Sequence, residues 1–223
     1  MEAVLDAIAQ RALNFVADGM AVGLGSGRAA HAFVRALGKR VAQGLGVRGI
    51  PTSEATEAVA RECNIPLVGL DTVDLIDVTV DGADEVDPHL DLIKGYGHAL
   101  VREKIVAAAS RRLIILVGRE KLVPVLGSRG ILPVEVVPFA APFCIRRLTA
   151  LGCRAKLRFD GGKPKVSDNG NYIIDCGVEP ISSPKKLEEN LRAIPGVVGT
   201  GLFLGMAERV LIGDGSDVRE LVR

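Results

Sequence analysis

Met20-Ala21-Val22-Gly23-Leu24-Gly25-Ser26-Gly27-Arg28 is the stretch on which the fold turns. The apolar run over residues 20–24 reads as a strand, the glycines as a tight turn, and residues 28–37 as a helix. An opening helix over residues 4–16 precedes it. Working outward, further strands are expected at residues 47–50, 75–80 and 112–117, with helical patterns at 53–62 and 100–109 between them. Apolar, β-branched strands alternating with helices predict an α/β fold: a Rossmann-like open parallel sheet with helices on both faces.

The pattern changes near Gly127-Ser128-Arg129-Gly130. Beyond it the expected order is strand (132–137), helix (142–151), strand (153–159), strand (172–176), helix (184–194) and strand (197–203). This βαββαβ series is that of a smaller ferredoxin-like α+β domain. Asp160-Gly161-Gly162-Lys163-Pro164 and Asp168-Asn169-Gly170-Asn171, both rich in turn residues, join its middle strands. A last strand at 210–213 and a short helix return to the first domain. The expected division is 1–127 with 205–223 as a Rossmann-like catalytic domain, and 128–204 as the ferredoxin-like one.

With 223 residues, 48% of them hydrophobic, the chain can bury one sizeable core or two modest ones. Lys and Arg number 28 against 27 Asp and Glu, a net charge of +1 with no basic tract, which argues against a nucleic-acid partner. The longest apolar runs, such as Leu113-Ile114-Ile115-Leu116-Val117, are strand-sized, and Met1-Glu2-Ala3-Val4-Leu5-Asp6 carries acid where a leader carries base. Neither a membrane span nor a signal peptide is expected. Cys63, Cys144, Cys153 and Cys176 form no C-x-x-C pair and read as reduced, buried thiols of a cytoplasmic protein.

Three constellations carry chemistry. Gly23-Leu24-Gly25-Ser26-Gly27-Arg28, following a strand and opening a helix, suits an anion, because glycines let the backbone approach it and the helix N-terminus favours negative charge; a plain tight turn is the alternative. The glycines fall at G-x-G-x-G without an acid closing the second strand, where Pro51-Thr52-Ser53 stands, so this is no dinucleotide fingerprint, and it lacks the Gly-Lys-Ser/Thr of a Walker loop. Asp81-Gly82-Ala83-Asp84-Glu85-Val86-Asp87 follows an apolar run, placing Asp81 and Asp84 where open α/β sheets bind ligands. A solvated acidic turn is its bland reading, and the spacing of a calcium loop is missing. Third is Lys94-Gly95-Tyr96-Gly97-His98-Ala99-Leu100-Val101-Arg102-Glu103-Lys104. Lys94 suits a developing oxyanion, and burial of Glu103 would raise its pKa toward that of a general base. Flanked by Arg102 and Lys104, Glu103 reads equally as a solvent-facing helix residue.

Asp81-Gly82-Ala83-Asp84-Glu85, Lys94-Gly95-x-Gly97, Arg102-Glu103-Lys104-Ile105-Val106, Leu132-Pro133-Val134-Glu135-Val136 and Asp168-Asn169-Gly170-Asn171 together resemble the A-type ribose-5-phosphate isomerases. Ile194-Pro195-Gly196-Val197-Val198 and Gly201-Leu202-Phe203 extend the resemblance over nearly the whole chain. It implies an aldose-ketose isomerase acting on a sugar phosphate through an enediolate, with no cofactor and no metal, as a homodimer or homotetramer. In that scheme Gly25, Ser26, Gly27, Arg28 and Ala29 hold the phosphate. Asp81 and Asp84, with Gly82 and Ala83 between them, serve the sugar hydroxyls and ring opening. Lys94 faces the enediolate oxygen on a loop with Gly95, Tyr96 and Gly97, Glu103 shuttles the proton between C2 and C1, and Lys121 contacts substrate.

The chain departs from the family in two loops. Gly25-Ser26-Gly27-Arg28-Ala29 stands where the family reads Gly-Thr-Gly-Ser-Thr, and Lys94-Gly95-Tyr96-Gly97-His98-Ala99 where it reads Lys-Gly-Gly-Gly-Gly-Ala. A lysine of the family's first helix has no counterpart near Leu5-Asp6-Ala7. Arg28 has two readings, a bidentate grip on phosphate or an outward first-turn residue. Two alternatives follow: an isomerase of another aldose phosphate, or a non-catalytic sugar-phosphate sensor, against which the retained Glu103 speaks.

Overall fold

The strand-turn-helix at Gly23 lies in the first of two compact units in a computed structural model that describes residues 2–215 and 217–223. In chain order the helices are α1 (Glu2–Ala12), α2 (Arg28–Ala42), α3 (Glu54–Glu62), α4 (Leu100–Ala108), α5 (Ala141–Ala150) and α6 (Pro184–Arg192). The first seven strands are β1 (Ala21–Leu24), β2 (Arg48–Pro51), β3 (Val78–Gly82), β4 (Glu85–Val86), β5 (Leu92–Ile93), β6 (Leu113–Gly118) and β7 (Ile131–Val136). The others are β8 (Arg154–Leu157), β9 (Phe159–Asp160), β10 (Lys163–Pro164), β11 (Tyr172–Gly177), β12 (Val197–Thr200), β13 (Leu202–Phe203), β14 (Arg209–Asp214) and β15 (Asp217–Val222).

The first unit takes the chain up to Ala83, Arg102–Lys121 and the segment from Met206. Its sheet runs β15-β14-β6-β3-β1-β2, parallel throughout except for β15, which returns antiparallel on β14. Side chains alternate across a strand, so Val22 and Leu24 of β1 meet Ile8, Phe33 and Leu37 of α1 and α2, while Ala21 meets Val106 of α4 on the opposite face. The expected open sheet with helices on both faces is therefore present. Ser53 caps α3 by accepting from the Thr56 N–H at 3.1 Å, and Glu54 and Glu57 in the first turn complement the helix dipole.

The second unit takes Asp84–Val101 and Leu122–Gly205. Its main sheet, β12-β7-β11-β8, is antiparallel and has the strand order of a ferredoxin-like βαββαβ unit. One face buries Leu132, Val134 and Ile174 against Cys144 and Leu148 of α5 and Leu191 of α6. All four cysteines are free thiols; Cys63 is half-exposed where burial was expected.

Three expectations are corrected. The division is not at residue 127: residues 84–101 and 122–127 join the second unit, because β4 pairs with β5, β5 with β13, and the Val123 N–H bonds Val86 O. The boundary also falls inside α4, after Val101. The expected final helix is strand β15, whose backbone pairs antiparallel along the edge of β14. The expected strands over 153–159 and 197–203 each break, the first into β8 and the β9–β10 hairpin, the second into β12 and β13.

Candidate active site

In the first unit β1 lies between β2 and β3, so the chain direction switches sides there, and the carboxyl ends of β1 and β3 mark the place where open α/β sheets take ligands. The turn after β1 is bound to β3 by the Gly25 N–H, which donates to Val80 O at 2.9 Å. Gly25 is required: a Cβ there would lie 2.5 Å from the Asp81 Cα. Asp81, only 1% exposed, accepts through one carboxylate oxygen from the N–H groups of Ser26 (3.0 Å) and Gly82 (2.7 Å). The acid thus fixes the turn that leads into α2.

A second layer was missed by the sequence reading. Ser26 Oγ lies 2.9 Å from Thr52 Oγ1, 2.7 Å from Ser53 Oγ and 3.2 Å from Thr56 Oγ1. Thr52 Oγ1 donates to Leu24 O and Thr56 Oγ1 to Gly25 O, both at about 3 Å. His31 Nε2 stands 3.1 Å from Thr56 Oγ1. Burial, then the Arg35 charge, lowers the His31 pKa, with Asp81 opposing. Pro51-Thr52-Ser53, noted in the sequence for the acid it lacks, supplies hydroxyls at the end of β2. The only local signal was the cap pattern of Ser53 and Thr56.

Gly27 is the residue before α2, at φ 90°, and Arg28 opens the helix with its side chain exposed; Ala29 is half-buried. The first turn of a helix presents N–H groups to an anion. Glu103, in α4, is 5% exposed, which rules out the solvent-facing reading. Lys121 is half-buried at the end of a short 3-10 turn, and Gly82 and Ala83 are half-buried at the end of β3.

In the second unit Lys94 follows β5 and is 3% exposed; its N–H donates to Gly201 O at 2.9 Å and its Nζ stands 5.6 Å from the Phe203 ring centroid. Asp84, half-buried, accepts from the Tyr96 N–H at 3.0 Å, so acid and lysine loop are joined. Gly95 takes φ +109° and His98 φ +61°, the left-handed region; Gly97 is exposed. The Tyr96 ring packs against the second unit's core, and its hydroxyl donates to Ile131 O at 3.4 Å. Burial, then Asp84 and Glu85, push its pKa up to about 12. Two family-like motifs prove to be loop supports. Glu85 accepts from the Gly127 N–H (2.6 Å) and the Arg129 N–H (2.7 Å). Glu135, fully buried, accepts from Ser167 Oγ (2.9 Å), Asn169 Nδ2 (3.1 Å) and Asn171 Nδ2 (2.9 Å).

The six charged candidates divide between the units: Arg28, Asp81, Glu103 and Lys121 in the first, Asp84 and Lys94 in the second. Among the described residues no group of three or more His, Cys, Asp or Glu is placed to hold a metal ion, and no helix is long and apolar enough to cross a membrane.

The class so defined is an α/β protein with a glycine turn at its sheet's switch point and buried acids and a buried lysine. Comparison with known proteins narrows it. Residues 48–217 match the family Ribose 5-phosphate isomerase A (phosphoriboisomerase A). The ribose-5-phosphate isomerase A of Roseiflexus castenholzii is 50% identical over 216 residues, covering 96% of this chain and 92% of that protein. That of Rhodopseudomonas palustris is 48% identical over 222 residues, with 96% and 95% covered. Two solved structures superpose closely. A D-ribose-5-phosphate isomerase in complex with phospho-erythronic acid has TM-score 0.96 and 40% identity, covering 100% of this chain and 99% of that one. The ribose 5-phosphate isomerase A of Methanocaldococcus jannaschii has TM-score 0.95 and 40% identity, with the same coverage. The chain belongs to the ribose 5-phosphate isomerase A family.

Proposed function

We propose that this chain interconverts D-ribose 5-phosphate and D-ribulose 5-phosphate through an enediolate. The observation that carries the chemistry is the burial of Asp81, Lys94 and Glu103 at 1, 3 and 5% exposure. Charged groups are costly to bury, and a buried titratable group is a candidate for proton transfer. The substrate follows from the family. The phospho-erythronic acid of a solved relative adds chemical sense, since a short sugar-acid phosphate carries the terminal phosphate and hydroxyls of a pentose phosphate and a carboxylate resembling an enediolate.

The first turn of α2, with residues 25–29, takes the phosphate. Asp81 and Asp84 bind sugar hydroxyls and carry protons during ring opening. Glu103 as carboxylate removes the C2 proton; the electron pair of the C–H bond passes into a C1–C2 double bond, and the aldehyde oxygen becomes anionic beside Lys94. Returning that proton from Glu103 to C1, with transfer of the O2 proton to O1, leaves the ketose. Lys121 assists substrate binding, and Tyr96 serves through its backbone, its ring being engaged in the core. The reaction runs without metal or other cofactor, in the cytoplasm, in a homodimer or homotetramer.

Glu103→Gln keeps shape and removes the base. The expected loss in kcat is about 10²–10⁴-fold, measured with ribose 5-phosphate in a chelator-treated assay. Wild-type turnover in that variant would sink the assignment of the base; wild-type enzyme silent in chelator would sink the metal-free reading. The two alternatives raised from the sequence, an isomerase of another aldose phosphate and a non-catalytic sensor, gain no support: relatives 48–50% identical over nearly the whole chain are ribose-5-phosphate isomerases.

A further inference from the structure

The second unit's main sheet has one face against α5 and α6. Asp175 on β11 projects from the other, where successive side chains alternate, next to Ile174 and Cys176 in the core. Arg158, just after β8, is tied into the sheet by its own N–H, which donates to Ile173 O at 2.8 Å. Its guanidinium uses every nitrogen. Nε donates to Asp175 Oδ2 at 2.9 Å and Nη2 to Asp175 Oδ1 at 2.5 Å, a bidentate fork. Nη1 donates to two backbone carbonyls, Gly95 O at 3.2 Å and Tyr96 O at 3.0 Å. The side chains are 17% and 28% exposed, so the pair is shielded from competing water to a degree that surface ion pairs are not.

Gly95 and Tyr96 are the two residues that follow Lys94. The segment is held at three further points: the Lys94 N–H on Gly201 O, the Tyr96 N–H on Asp84, and the His98 N–H on Gly95 O at 3.0 Å. It also contains two residues at positive φ, Gly95 and His98. No helix or ladder pairs the loop's carbonyls: within the loop the His98 N–H reaches Gly95 O, and the rest of their acceptor capacity is met from outside. Arg158 supplies the donor for two consecutive carbonyls, and Asp175 fixes the plane from which it donates.

We propose that Arg158, oriented by Asp175, is a positioning residue that sets Lys94 for its part in the reaction. The proposal rests on the reading of Lys94 as the group facing the enediolate oxygen. Arg158 touches no reacting atom in this scheme; it acts by fixing the peptide planes next to Lys94. Because the lysine's contribution is made in the transition state, loss of the clamp lowers kcat and leaves KM for the sugar phosphate nearly unchanged. Lysine cannot substitute, since one ammonium cannot grip a carboxylate in a fork and two carbonyls at once.

The test is a double-mutant cycle read by steady-state kinetics with ribose 5-phosphate, each variant checked for wild-type circular dichroism. Arg158→Gln and Arg158→Lys are each expected to lose about 10- to 100-fold in kcat, the scale of a misplacement near 1 Å, with KM within about threefold. Lys94→Gln/Arg158→Gln is expected to be no slower than Lys94→Gln alone, because an arginine that acts through a lysine has nothing to position once the lysine is gone. Asp175→Asn attacks the fork from its other end, and the same kcat loss is expected there if Arg158→Gln fails to fold. Additive losses in the double variant, full activity in Arg158→Lys, or a KM effect without a kcat effect would overturn the proposal. Lys94→Gln at the wild-type rate would instead overturn the underlying assignment of Lys94, a result separable from wild-type activity in Arg158→Gln with Lys94→Gln slow.

Discussion

The glycine-bearing loops at residues 25–29 and 94–99, one in each unit, are held in opposite ways. Residues 25–29 are fixed by uncharged hydroxyls and by one buried acid: Thr52, Ser53 and Thr56 surround Ser26, and Asp81 binds the Ser26 N–H. Residues 94–99 are fixed by charge on both flanks, Asp84 on the Tyr96 amide and the Arg158–Asp175 fork on the carbonyls. A hydroxyl network can exchange partners at low cost, because each hydroxyl is donor and acceptor at once. A guanidinium fork has one productive geometry. The first loop should therefore tolerate loss of a single hydroxyl and fail on backbone displacement, while the second should fail on loss of a single side chain.

Gly25→Ala strikes the first loop where it cannot yield. The new Cβ would lie 2.3 Å from Asp81 Oδ1 and 2.5 Å from Asp81 Cα, so either β3 or the turn must move. The expected outcome is a loss of about 100-fold or more in kcat/KM, with a stability loss of about 1–3 kcal/mol in thermal or urea unfolding. Near-normal kinetics would mean that the turn is not a rigid part of the site. Ser26→Ala is the milder cut. It removes one node from a network whose other members can pair among themselves, Ser53 Oγ already donating to Thr56 Oγ1 at 2.9 Å. KM for the sugar phosphate should rise by roughly fivefold, the worth of about 1 kcal/mol of hydrogen bonding, with kcat within about twofold. A kcat collapse would show that the hydroxyls set the chemistry as well as binding, and would erase the contrast between the loops.

The two loops were also unequally legible. Strand, glycine turn and helix around Gly23 are local patterns, so the α/β fold and the place of residues 25–29 could be read from adjacent residues. The βαββαβ order was likewise carried by local turn signals. What could not be read was whatever depends on a partner distant in sequence. Glu103 sits between Arg102 and Lys104, and only the packing around α4 reveals its burial. Arg158, just after β8, and Asp175, on β11, are 17 residues apart, and Arg158 meets residues 95 and 96 only once the sheet forms. The segment over 217–222 was misassigned because six residues of mixed polarity fit a short helix or an edge strand equally, and pairing with β14 decides it.

His98 offers the finest test of the charged loop. It occupies φ +61°, where a β-carbon costs energy, and it is half-buried. Its pKa is lowered from the ordinary value of 6.5, first by burial and next by Lys165, with Arg158 adding and Asp168 and Asp160 opposing. A histidine whose folded pKa is depressed binds fewer protons than it does in the unfolded chain, so its contribution is intact above about pH 6.5 and is lost as pH falls from there through the depressed folded pKa. His31 is shifted the same way and adds to the same acid sensitivity. His98→Gly removes one of the two histidines and relieves the left-handed strain, while raising the entropy of the unfolded chain. At about pH 7.5 these backbone effects nearly cancel, and Tm should stay within a few degrees of wild type, the shift about 1 kcal/mol would cause. On acidification to about pH 5.5 the variant should lose less Tm than wild type, His31 still contributing to the loss that remains. Equal losses in the two proteins would show that the charges around the loop already hold His98 in balance, and that its support is electrostatic only through Arg158 and Asp84.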